Sequence, residues 1–114
     1  MSVVAVVDDM IFASKIRAAA EAVGVEITFP RTKESLLEKA RHADLVIVDL
    51  HNRKIDPLAL PADLDGTRLL GFFSHVEVEL QRQALAAGYG RVVPRSVFAR
   101  DLAEILTGAT RKSP

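Results

Sequence analysis

The chain has 114 residues, 49% of them apolar, which is room for one domain with a core of its own and little else. Fifteen lysines and arginines balance fifteen aspartates and glutamates, so charge gives no reason to expect nucleic acid or an anionic membrane as the partner. The lack of cysteine excludes a disulfide scaffold and thiolate metal sites; the opening Ser2–Val7 stretch is too short to span a bilayer and lacks a signal's basic start, so a cytoplasmic protein is expected.

Along the chain, short apolar runs alternate with amphipathic stretches. The first run is Val3–Val7, followed by helical spacing at Phe12, Ile16, Ala19 or Ala20, and Val23, with Gly24 as a stop. Val25–Phe29 is the second run, and Thr32 then precedes a helix with apolar Leu36, Leu37 and Ala40. Leu45–Val48 is the third. The next segment, to Thr67, is broken by Pro57 and Pro61, so its helix is predicted to be short (Pro57–Leu64) or missing. Leu69–Phe73 precedes a helical stripe of Val76, Leu80 and Ala84, with Leu85 and Ala87, ending at Gly88. Arg91–Val93 is the last run, and a final helix carries Val97, Leu102, Ile105 and Leu106. Residues 1–108 are read as a single domain and 109–114 as a disordered tail.

Unbroken valine- and isoleucine-rich runs imply strands buried on both faces, hence a parallel sheet covered by helices. Five strands with right-handed crossovers predict a three-layer α/β sandwich, and of the two common doubly wound arrangements the flavodoxin-like strand order 2-1-3-4-5 is expected.

Ligands of such a sheet bind beyond the carboxyl ends of the strands. The residues there are Asp8-Asp9 after the first run, Asp49 after the third, Ser74-His75 after the fourth and Pro94-Arg95 after the fifth. Three carboxylates in one crevice raise one another's pKa values unless a cation sits among them, and oxygen donors suit a hard ion such as Mg²⁺. Plainer roles stand beside this one. Asp8 or Asp9 can cap the following helix, Asp49 can form a turn, and Arg95 can pair with Asp49 or Asp9 in place of a metal. His51 and His75 could join Asp9 and Asp49 in a transition-metal site, the basis for reading the chain as a small hydrolase. The clusters Arg31-Thr32-Lys33 and Arg53-Lys54 read as solvated surface, the second also placed to attract an acidic partner. No Gly-rich phosphate loop occurs.

The pattern Val6-Val7-Asp8-Asp9, then Asp44-Leu45-Val46-Ile47-Val48-Asp49-Leu50, Ser74 and Ala86-Ala87-Gly88 resembles the receiver domain of two-component response regulators, over roughly Val3 to Leu106. The resemblance implies that Asp49 accepts a phosphoryl group from a histidine kinase or phosphotransfer protein. It also implies that Asp9, Asp49 and the His51 backbone carbonyl hold Mg²⁺, with Asp8 acting through water. Ser74 and Arg95 would contact the phosphoryl group. The chain would then be a stand-alone receiver in a phosphorelay, a phosphoacceptor rather than an enzyme. It would signal to a downstream protein target, with a homodimer as a further option and no nucleic acid or membrane partner.

Several residues depart from the family pattern. Arg95 replaces an almost obligatory lysine, Ser96 a proline, and Val92 a switch aromatic; His75 follows Ser74 where a small residue is usual, and the Asp49–Ser74 interval is short. These departures support the alternative of a pseudo-receiver, a protein-interaction module that works without phosphorylation. Its contact surface is then expected on the last strand and helix, if Leu102, Ile105 and Leu106 are not all buried.

Overall fold

The computed structural model describes residues 2–52, 54–74 and 77–108. Its strands are β1 (Ser2–Val6), β2 (Glu26–Thr28), β3 (Leu45–Asp49), β4 (Leu69–Phe73) and β5 (Arg91–Pro94). They form one parallel sheet in the order β2-β1-β3-β4-β5, as the sequence predicts. Val6 lies beside Val48, Asp49 beside Phe72 and Phe73 beside Pro94, so Asp8, Asp9, Asp49, Ser74 and Arg95 all fall at the carboxyl edge.

The helices are α1 (Met10–Val23), α2 (Lys33–Ala40), α3 (Leu60–Asp63), α4 (Val78–Ala87), α5 (Arg95–Arg100) and α6 (Leu102–Gly108). Helix α1 stops where expected. Gly24 takes φ 74°, open to a residue without Cβ, and its N–H meets the carbonyls of Ala20 and Glu21. Thr32 caps α2 by accepting from the Ser35 N–H.

The unbroken runs acquire their meaning in the two cores. Along β1, Val3 and Ala5 pack into one, and Val4 and Val6 into the other; β3 divides in the same way, with Leu45 and Ile47 against Val46 and Val48. The first core joins α1, α5 and α6 to the sheet through Phe12, Ile16, Phe72, Phe98 and Leu106. Three of these rings form a cluster: Phe72 and Phe98 stack at 4.8 Å, and Phe12 meets Phe72 edge-on at 5.3 Å. The second core gathers Leu36, Leu60, Ala84 and Tyr89 beneath α2, α3 and α4.

Four expectations need correction or refinement. The last helical stripe is two helices, divided at Asp101 (φ −100°, ψ 13°), whose N–H still reaches the Val97 carbonyl at 3.0 Å. Leu102, Ile105 and Leu106 are all buried, because α6 packs against α1; they offer no contact surface. The segment after β3 holds a 3₁₀ turn (Pro57–Ala59) and the single-turn α3, each with proline in its first turn. It is anchored by Tyr89, whose hydroxyl donates to the Pro57 carbonyl at 2.7 Å. On α4 only Ala84 is buried; Leu80 is half-buried, while Leu85 and Ala87 are exposed. Val76, His75 and the tail from 109 to 114 lie outside the described residues.

Candidate functional site

The edge of the sheet is built from short polar turns, each using one of the predicted acids locally. Asp9 is the N-cap of α1: its backbone is extended (φ −70°, ψ 109°), and its Oδ1 accepts from the amides of Ile11 at 3.0 Å and Phe12 at 3.1 Å. Asp49 ends β3, half-buried, and its Oδ1 accepts from the His51 N–H at 2.9 Å, an Asx turn that starts the following loop. Asp8, between β1 and the cap, is exposed, and its Oδ1 lies 3.9 Å from the Lys54 ammonium.

Arg95 decides the character of this edge. It opens α5 directly after β5, and its Nη2 donates to Asp9 Oδ2 at 2.8 Å. The guanidinium carbon stands 4.1 Å from the centre of the Phe12 ring, so the cation lies on an aromatic face that itself belongs to the core cluster. One residue thus makes an ion pair and a cation–π contact, a combination suited to the planar guanidinium. The Arg95 hydrogen bond, then the Phe12 amide, hold the Asp9 carboxyl below its usual value.

Each of the three acids therefore faces a different partner: Asp8 a lysine, Asp9 an arginine and a helix N-terminus, Asp49 a backbone amide. Among the described residues no group of three or more histidine, aspartate or glutamate side chains is placed to hold a metal ion. Both Asp9 oxygens are engaged and Arg95 supplies the positive charge beside them, so a divalent cation drawing on that carboxylate would have to displace the guanidinium. Of the two roles open to Arg95 in the sequence, the ion pair with Asp9 is the one formed. Ser74 is exposed, one step beyond β4. His51 is half-buried, with an Nε2 that has no hydrogen-bond partner among the described residues.

Sequence reasoning missed the part played by Phe12, which it placed only in the core. The signal was present: a ring at the third helical position after an N-cap aspartate sits beneath whatever the free carboxylate oxygen attracts. It also missed that Lys54 answers Asp8, a pairing across 46 positions that no local pattern carries.

No protein-family model matches the chain, and no curated protein matches it. Solved structures do. A response regulator from Hahella chejuensis superposes with a TM-score of 0.82 at 18% identity, covering 96% of this chain and 94% of that one. The signal receiver domain of NarL from Mycobacterium tuberculosis gives a TM-score of 0.79 at 22% identity over 97% of both chains. A response regulator protein from Burkholderia pseudomallei, with a phosphorylated aspartic acid and a calcium ion, gives 0.68 at 17% identity, covering 99% of this chain and 75% of that one. The chain has the fold of a receiver domain.

Proposed function

We propose that this receiver-fold chain is a signalling module that acts through non-covalent protein contacts, with Arg95 as the built-in counter-ion of its acidic crevice. The observation that carries the reading is the Asp9–Arg95 pair seated on Phe12. A permanently charged guanidinium neutralises the crevice at every physiological pH and occupies the carboxylate on which a divalent ion would depend. The neighbours support a signalling domain rather than an enzyme of ordinary kind. Among the described residues no helix is long and apolar enough to cross a membrane.

The contact surface moves accordingly. With Leu102, Ile105 and Leu106 buried, the large apolar side chains most exposed among the described residues are Met10 at 81% and Ile11 at 75%, both in the first turn of α1 beside Asp9. A partner docking there would cover apolar surface and sense the Asp9–Arg95 pair together. Incubation with acetyl phosphate and Mg²⁺ followed by intact-mass measurement tests the reading. The wild type should gain no phosphoryl mass; a gain that disappears in Asp49→Asn would refute it.

A second reading is a phosphoacceptor domain. Asp49 favours it: the carboxylate ends β3 at the sheet edge, and its Oδ2 accepts no hydrogen bond among the described residues. The Burkholderia pseudomallei neighbour carries a phosphorylated aspartic acid. On this reading Asp49 takes its phosphoryl group from a histidine kinase or phosphotransfer protein with Mg²⁺ bound, and Arg95 must first leave Asp9. Ser74, exposed at the end of β4, would then contact the phosphoryl group.

A further inference from the structure

On the other side of Asp8, the same edge of the sheet opens into a second crevice. It is a cavity of about 420 Å³ lying over the ends of β1 and β2, within the range of small-molecule sites. Helix α1 contributes Arg17, the segment after β2 contributes Phe29 and Arg31, and the loop after β3 contributes Asn52 and Lys54. Three cations thus line it against one carboxylate, Asp8, in a chain whose formal charge is zero.

Its chemistry is more specific than positive charge. The Arg17 guanidinium carbon lies 4.8 Å from the centre of the Phe29 ring, which holds the cation against a flat apolar surface. No carboxylate among the described residues pairs with Arg17 or Arg31, so their charge is uncompensated at short range. Asn52 is the one buried polar residue among the described residues, at 8% exposure. Its Oδ1 accepts from the amides of Lys54 at 2.8 Å and Ile55 at 3.2 Å, leaving the amide nitrogen as its remaining donor.

From this combination we infer that the cleft binds a small phosphorylated molecule with a flat ring and sugar hydroxyls, of the ribonucleoside monophosphate class. Arg31 and Lys54 suit the phosphate, Phe29 with Arg17 suits the ring, and Asp8 accepts from a hydroxyl. Asp8 also disfavours a bare phosphate ion by repulsion of like charge, whereas a nucleotide can turn a sugar hydroxyl toward the carboxylate and hold its phosphate at Arg31. The inference does not depend on whether Asp49 is phosphorylated.

The test is an NMR titration of the full chain with adenosine, guanosine, cytidine and uridine monophosphates, and with inorganic phosphate. At least one nucleotide should shift the amides of Val7, Asp8, Phe29, Arg31, Asn52, Lys54 and Ile55 saturably, with a dissociation constant below about 1 mM. Inorganic phosphate should bind at least about tenfold more weakly. Arg31→Glu and Arg17→Gln are exposed changes that leave both cores intact, and each should weaken nucleotide binding roughly tenfold or more. Lys39→Glu, exposed on α2, should leave it unchanged. No saturable shift with any nucleotide, equal binding of phosphate alone, or binding indifferent to Arg31→Glu while the spectrum stays native, would each overturn the proposal.

Discussion

Two crevices share the carboxyl edge of this sheet, and adjacent residues of one dipeptide belong to different ones. Asp9 turns toward β5 and meets Arg95, while Asp8 turns toward the loop after β3 and faces Lys54. The Asp9 side rests on the aromatic cluster of the first core, and its charge is neutralised within the chain. The Asp8 side is lined by Arg17, Arg31 and Lys54 with one carboxylate among them, so its charge remains available to a ligand. The contrast teaches that the position of a polar group relative to the packed core, more than its type, decides whether it is spent internally or left for a partner.

The contrast should be visible first in stability. Phe98 is fully buried and stacked on Phe72, so Phe98→Ala should cost about 3–5 kcal/mol by chemical denaturation. Phe29, half-buried in the cleft wall, should cost only about 1 kcal/mol on the same change. Equal losses would mean that the two crevices do not differ in their support.

Tyr89 provides a reference outside both crevices. Tyr89→Phe removes its hydrogen bond to Pro57 and should cost about 1 kcal/mol near neutral pH. Burial, with Asp56 nearby as a lesser cause, pushes the phenol above its ordinary value of 10.0. The unfolded chain therefore ionises first as pH rises. The stability that goes with the neutral phenol is complete below pH 10 and is lost above it. Tyr89→Phe should flatten that alkaline decline.

A smaller effect concerns the acids themselves. Because Asp9 is held below its usual value, the stability it contributes is present above that value and is lost as pH falls through it. Asp9→Asn keeps a good N-cap while removing the charge that pairs with Arg95, so it should flatten the decline in stability below about pH 4. The least effect is expected from Asp8→Asn: little change in stability, but weaker discrimination against inorganic phosphate in the cleft. If Asp8→Asn cost as much stability near neutral pH as Asp9→Asn, the division of roles between the two would be wrong.

The strands and helices could be read from the chain because they rest on patterns of short range: apolar runs without a two-residue period at β1 and β3, and glycine stops after α1 and α4. The strand order came from the general rules of doubly wound sheets. The division of the last helix at Asp101 was not legible. Its apolar residues keep helical spacing across the break, and only the packing of α6 on α1 and the pull of Arg100 on the Asp101 side chain mark it. At the site, the acids and Arg95 were found from their places at strand ends, and the Asp9–Arg95 pairing was foreseen as one of two options. Which carboxylate Arg95 takes depends on Phe12 offering it a surface, a contact between residues 83 apart in the chain. Arg31 reads as solvated surface for the same reason: nothing near it in sequence shows that Arg17 and Lys54 converge on the same cleft.

The internal counter-ion can be tested directly by following the amide signals of Asp9, Asp49 and His51 during a Mg²⁺ titration into the low millimolar range. The account predicts no saturable shift in the wild type and a measurable one in Arg95→Ala, where Asp9 is released. Saturable Mg²⁺ binding by the wild type, abolished by Asp49→Asn, would contradict it.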